Sequence, residues 1–143
     1  MTSSSKAAIA MTWRSLFFSF QGRAGRLQWW LGHAALLLAI GVASVILALV
    51  FGTPVAPEAR SEGILYEYDL GPAGGAGLVV FIFVYAWSSL ALTAKRWHDR
   101  DKSGLWILIG VVPVVGSLWA LVENGFLKGT DGANSYGDDP LAG

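Results

Sequence analysis

The sequence predicts an all-α integral membrane protein: three transmembrane helices, a short N-terminal interfacial helix and an irregular C-terminal tail. Three observations predict it. Charged residues make up only 14% of the 143-residue chain, against roughly 25% in soluble domains. Hydrophobic residues reach 54%, and mean hydropathy is +0.52. The few charges leave residues 27–57, 70–94 and 103–122 without Asp, Glu, Lys or Arg. A spanning helix needs about 20 mostly apolar residues to cross roughly 30 Å of hydrocarbon, and each run is long enough. Three such runs in one small domain leave too little polar chain to bury them in a soluble fold.

Residues 1–12 open polar and small, as a disordered start. Trp13, Leu16, Phe17 and Phe20 then recur on one helical face, so 13–26 reads as an interfacial segment in the headgroup layer. The first span is placed at 29–51, too long and too late in the chain for a cleaved signal peptide. Its His33 reads as a neutral imidazole hydrogen-bonded to the cytoplasmic loop. The loop 52–76 is rich in Pro, Gly and irregularly spaced acids and reads as solvated and extracytoplasmic, with one amphipathic turn at 64–68. The second span is placed at 77–94, with Trp87 packing between helices, followed by a cytoplasmic basic loop at 95–104. The third span, 105–122, is kinked at Pro113. A re-entrant hairpin is the rival reading of this short run; length favours a full span. The tail, 123–143, is dominated by Gly, Asn, Asp and Pro, which is turn chemistry.

Orientation follows Lys and Arg. The four polar segments carry 4, 1, 4 and 1 of them, so the N-terminus and second loop are cytoplasmic and the tail extracytoplasmic. Trp29, Trp30, Trp97 and Trp106 stand at the cytoplasmic span ends, where amphipathic rings favour the interface.

The polar chemistry is concentrated in Lys95–Gly104. If the second span continues as helix, Asp99 pairs with Lys95 at i,i+4 and with Arg96 at i,i+3. Ser103 reads as the N-cap of the third span. No catalytic residue is predicted. His98 and Asp99 are adjacent on a helix and point about 100° apart, and no nucleophile has an activating partner. With no Cys and two His, neither a metal site nor a cofactor is predicted. Zero net charge argues against nucleic acid as a partner.

Four motifs resemble those of a known family. Phe20-Gln21-Gly22-Arg23-Ala24-Gly25-Arg26 with Trp29-Trp30 is similar to its opening F-x-G-R-x-x-R. Arg96-Trp97-His98-Asp99 with Ser103-Gly104 resembles its central R-R-L-H-D-x-x-x-S-G, with Trp97 in the leucine place. Pro113 to Gly116 resembles P-x-x-G, and Gly132 to Pro140 resembles G-x-N-x-(Y/F)-G-x-D-P. The family is the domain of unknown function 805, the YhaH-like small inner-membrane proteins of bacteria. The resemblance implies a multi-pass protein of the bacterial inner membrane and supplies no reaction.

The expected role is a non-enzymatic accessory or interaction protein. Its partners would be the bilayer's anionic headgroups, a membrane protein or a second copy. The candidate binding residues are Arg23, Arg26, Arg96, His98, Asp99, Arg100, Lys102 and Ser103. Gly132, Asn134, Tyr136, Gly137, Asp139 and Pro140 form a candidate tail motif. An oligomeric transporter or channel component, and an enzyme acting on a lipid or phosphorylated headgroup, are the alternatives. If all the polar motifs build one site, the third segment must be re-entrant.

Overall fold

A computed structural model describes residues 12–64 and 67–141. Of the sequence expectations, the disordered start (Thr12 apart) and two residues of the 64–68 turn lie outside the described residues.

Helix α1 spans Trp13–Phe18 and is started by Thr12, whose hydroxyl accepts from the Ser15 amide at 3.2 Å. It is shorter than the expected 13–26 segment; the chain from Ser19 to Gly25 is irregular, with Gly22 at a φ of 89°. Helix α2 runs Arg26–Phe51 and helix α3 runs Gly71–Asp99. Both are long and apolar enough to cross a membrane. Their outward residues are apolar, from Leu31 and Leu49 on α2 to Phe83 and Leu90 on α3, and water is a poor solvent for such a surface.

Start and stop signals account for the bounds. The Gly52 amide closes the last turn of α2 on the Ala48 carbonyl, and a side chain at Gly52 would collide with that oxygen. At the start of α3, the Asp69 carboxylate accepts from the Gly71 amide, and Pro72 occupies the first turn, where its missing N–H costs nothing. At its end, Lys102 N–H reaches the Trp97 carbonyl and Asp101 N–H the His98 carbonyl, with Asp101 left-handed at a φ of 56°. That is a Schellman stop with Asp in the usual glycine place.

The chain forms two compact units: Met1–His33 with Trp87–Gly143, and Ala34–Ala86. In the second, Gly77 lies against Leu47 and Gly74 against Phe51, so the helices meet where a Cβ would crowd. The loop expected to be solvated and irregular holds a small antiparallel pair there, β1 (Thr53–Pro54) with β2 (Tyr68–Asp69), in register Thr53 to Asp69.

In the first unit, the segment expected to be one kinked helix is two. A 3-10 helix covers Gly104–Val111, the chain turns at Val112–Val114, and helix α4 (Val115–Leu121) packs back on it. The turn is tight. The Gly116 amide bonds the Val112 carbonyl at 3.1 Å, and a Cβ on Gly116 would strike the Ile109 carbonyl. A π turn, Val122–Phe126, continues α4, closed by Leu127 N–H on the Val122 carbonyl. The single kinked span at 105–122 is therefore replaced by a helical hairpin, because Pro113 breaks the backbone ladder and Gly116 lets the return leg close.

Candidate functional site

The polar residues of the first unit converge on Asp99. Asp99 stands in the last turn of α3 and is 3% exposed, between Arg23 at 3% and Arg96 at 0%. Arg23 donates to Asp99 Oδ1 through Nε at 3.0 Å, and its Nη2 lies 2.9 Å from the same oxygen. Arg96 Nη1 donates to Oδ2. Both guanidiniums then spread onto backbone carbonyls. Arg23 donates to Thr130 at 2.7 Å, to Gly132 at 2.5 Å and, more distantly, to Gly137. Arg96 donates to Asn124 at 2.7 Å and to Leu127. One carboxylate thus orients two planar donors, and these hold the opening motif, the π turn and the tail together. Charges this deep are tolerable only with their donors satisfied.

The tail is tied down along its length. The Thr130 amide and hydroxyl both donate to the Asp99 carbonyl, and Asn134 Nδ2 donates to the His98 carbonyl at 2.8 Å. Gly129 passes so close that a Cβ would lie 2.6 Å from Asp99 Cγ. Tyr136 stacks flat on His98, ring centroids 4.0 Å apart and planes within 3°. His98 Nδ1 faces the Gly22 carbonyl at 3.1 Å, which ties the opening motif to the same ring. Asp139 accepts from Gly132 and Leu141 amides, and these bonds, Leu141's first, hold its carboxyl below the usual range. Pro140 packs near Gly25.

A second ion group closes the hairpin. Glu123, buried in the π turn, accepts from Arg100 Nε at 2.5 Å and Lys102 Nζ at 2.9 Å. Burial pushes its carboxyl up, but the Lys102 bond and the two cationic charges outweigh that and hold it below the usual value. Arg100 also donates to the Lys128 carbonyl, Arg26 to Phe126 and the Trp30 indole to Gly125. Ser103 caps the outgoing leg, its hydroxyl accepting from the Leu105 amide. Both ends of the hairpin therefore meet the same turn at the end of α3.

Several expectations are corrected. Lys95 does not pair with Asp99; its ammonium reaches the Ser15 and Leu16 carbonyls, because Arg23 and Arg96 already fill the carboxylate. Trp97 is fully buried rather than interfacial, since the hairpin covers it. Its ring lies beside Trp106, with the Lys102 ammonium over both. His33 faces the Trp29 carbonyl and the Ser89 hydroxyl, not the 95–104 segment. Trp87 is half-exposed and meets the edge of Phe20. Among the predicted binding residues, Arg23 and Arg96 are internal, whereas Arg26 is exposed and Arg100 and Lys102 partly so. Sequence reasoning passed over Glu123, Asn124, Gly129 and Thr130. Glu123 alone left a signal, as the carboxylate that ends a charge-free run.

Among the described residues, no group of three His, Asp or Glu is placed to hold a metal ion. The class defined by these features is a mostly helical protein with two helices fit to cross a membrane and a polar cluster that gathers three of the four sequence motifs. Residues 17–138 match the family described as "Protein of unknown function (DUF805)", and the chain belongs to it. It is similar to "Inner membrane protein YhaI" of Escherichia coli (strain K12), 33% identical over 127 residues, 89% of this chain and 90% of that one. "Inner membrane protein YhaH" of the same strain is 29% identical over 131 residues, 87% and 88% of the two chains. "Uncharacterized protein YiiR", also from that strain, is 29% identical over 90% of each chain. No solved structure matches.

Proposed function

We propose that this chain is a non-enzymatic integral protein of the bacterial inner membrane, with a cytoplasmic face that binds anionic headgroups or a membrane partner. The observation that carries the reading is the double engagement of Asp99 by two buried arginines. Both oxygens of this carboxylate are taken up by guanidiniums, and the adjacent His98 is occupied by Gly22 and Tyr136. The motifs' charges serve to close the fold. Among the described residues of the first unit, Arg14, Arg26 and Lys128 are exposed, Lys128 beside Asp131, and Arg100 and Lys102 lie at the margin. Each such cation near an anionic surface contributes about 1 kcal/mol.

In this reading α2 and α3 cross the bilayer, the hairpin re-enters, and the tail lies with the N-terminus and the α3 end on the cytoplasmic side. Nine of the ten Lys and Arg then share that side, with Arg60 alone opposite, a stronger asymmetry than three spans produce. The relatives YhaI and YhaH, described as inner membrane proteins, support the location.

The test of function is lipid retention. Arg14→Gln and Lys128→Gln combined should lower the phosphatidylglycerol that co-purifies with the protein while leaving its thermal stability nearly unchanged. Unchanged retention would remove the headgroup reading.

A further inference from the structure

Lys95 is fully buried in the last turns of α3, and among the described residues no carboxylate pairs with it. Its ammonium donates instead to the carbonyls of Ser15 and Leu16 in α1. A buried ammonium is costly unless its hydrogen bonds are met, so its place in the fold depends on α1. The dependence runs both ways, and Lys95 and α1 belong to the same compact unit.

Helix α1 has six residues, and an isolated helix shorter than about 12 is marginal in water. Its order therefore comes from what holds its ends. At the start, Thr12 accepts from the Ser15 amide. At the other end, the carbonyls of Ser15 to Phe18 are out of reach of α1's own amides, and Lys95 takes two of them. A cation also suits the negative end of a helix. Beyond α1 the chain gains one more hold, the Phe20 ring edge-on to Trp87 at 5.1 Å. Helix α1 in turn carries Arg14, one of the exposed cations of the headgroup reading, with its guanidinium 5.2 Å from the centre of the Trp13 ring. It thus pairs a cation that attracts anionic headgroups with a ring that favours the interface.

We infer that Lys95 is a positioning residue for anionic-headgroup binding: it touches no lipid, and holds α1 so that Arg14 and Trp13 are presented together. This rests on the headgroup reading above. With α1 released, Arg14 and Trp13 are still in the chain, but ordering them at the surface costs conformational entropy at the moment of binding.

The full chain is purified from mixed phosphatidylglycerol and phosphatidylcholine micelles, and the retained phosphatidylglycerol is measured by mass spectrometry. Lys95→Met removes the charge and keeps most of the length. It should lower retention as Arg14→Gln does, each by about fivefold, the worth of one cation near an anionic surface. Because Lys95 acts through Arg14, the Lys95→Met, Arg14→Gln double variant should retain no less than either single. With Lys128→Gln, by contrast, the losses should multiply. A merely structural role would couple Lys95 equally to both cations. Unchanged retention in Lys95→Met, or a loss that multiplies with that of Arg14→Gln, overturns the inference and leaves the headgroup reading standing. Unchanged retention in the combined Arg14→Gln, Lys128→Gln variant overturns both. Should Lys95→Met fail to fold, Thr12→Ala loosens α1 from its other end and is read by the same criteria.

Discussion

Replacing Asp99 by Asn removes one charge and almost no volume. In the wild-type chain the carboxylate receives Arg23 on one oxygen and Arg96 on the other, with all three side chains buried. Asn offers one acceptor oxygen and a donor NH2, so one guanidinium is left facing a donor. Breaking a buried pair by deleting one partner costs about 3–5 kcal/mol. The low end applies, because the carbonyls of Thr130, Gly132, Asn124 and Leu127 remain as acceptors. About 3 kcal/mol lowers Tm by roughly 10 °C in a domain of this size. The assay is thermal unfolding of purified protein in mild detergent, followed by tryptophan fluorescence. Arg23→Gln completes a double-mutant cycle, and the double variant should lose clearly less than the sum of the two singles. A Tm for Asp99→Asn within about 2 °C of wild type, or strict additivity with Arg23→Gln, would refute the idea that this carboxylate organises the cluster.

The remaining predictions use neighbouring contacts. Gly129→Ala changes no charge but drives a methyl into the Asp99 carboxylate, so it should lower Tm in the same direction as Asp99→Asn. Tyr136→Ala loses the stack on His98, worth about 1 kcal/mol, and hydrogen exchange over 130–137 should quicken; Tyr136→Phe keeps the ring and should behave as wild type. Glu123 titrates lower folded than unfolded, where a free Glu lies near about 4.3. Its contribution is therefore complete above about pH 5 and is lost as pH falls through the lower folded value. Melting curves from pH 7 to pH 3 should show an acid loss that is shallower in Glu123→Gln.

Local signals made the long helices and two of the site contacts legible. Charge-free runs marked α2 and α3, and i,i+3 spacing marked Arg96 with Asp99. Ser103 was legible as a cap because capping is a neighbour-to-neighbour bond. The rest depends on distant partners. Arg23 and Asp99 stand 76 residues apart, and nothing local told Asp99 to prefer Arg23 over Lys95. The hairpin was ambiguous because Pro113 and Gly116 suit a kinked span as well as a tight return. What decides it is Glu123 meeting Arg100 and Lys102, a contact between residues that only the folded chain brings together. Trp97 shows the converse failure: its position at a span end suggested an interface, and the hairpin that buries it was not yet placed.

One polar cluster is shared by the opening motif, the end of α3 and the tail, which requires all three on one side of the membrane. The direct measurement is thiol labelling of Ser135→Cys, an exposed tail position in a chain without other cysteines. Membrane-impermeant maleimide should label it in inverted inner-membrane vesicles and leave it unlabelled in intact spheroplasts. Labelling in spheroplasts would put the tail outside, restore three full spans and contradict the shared cluster.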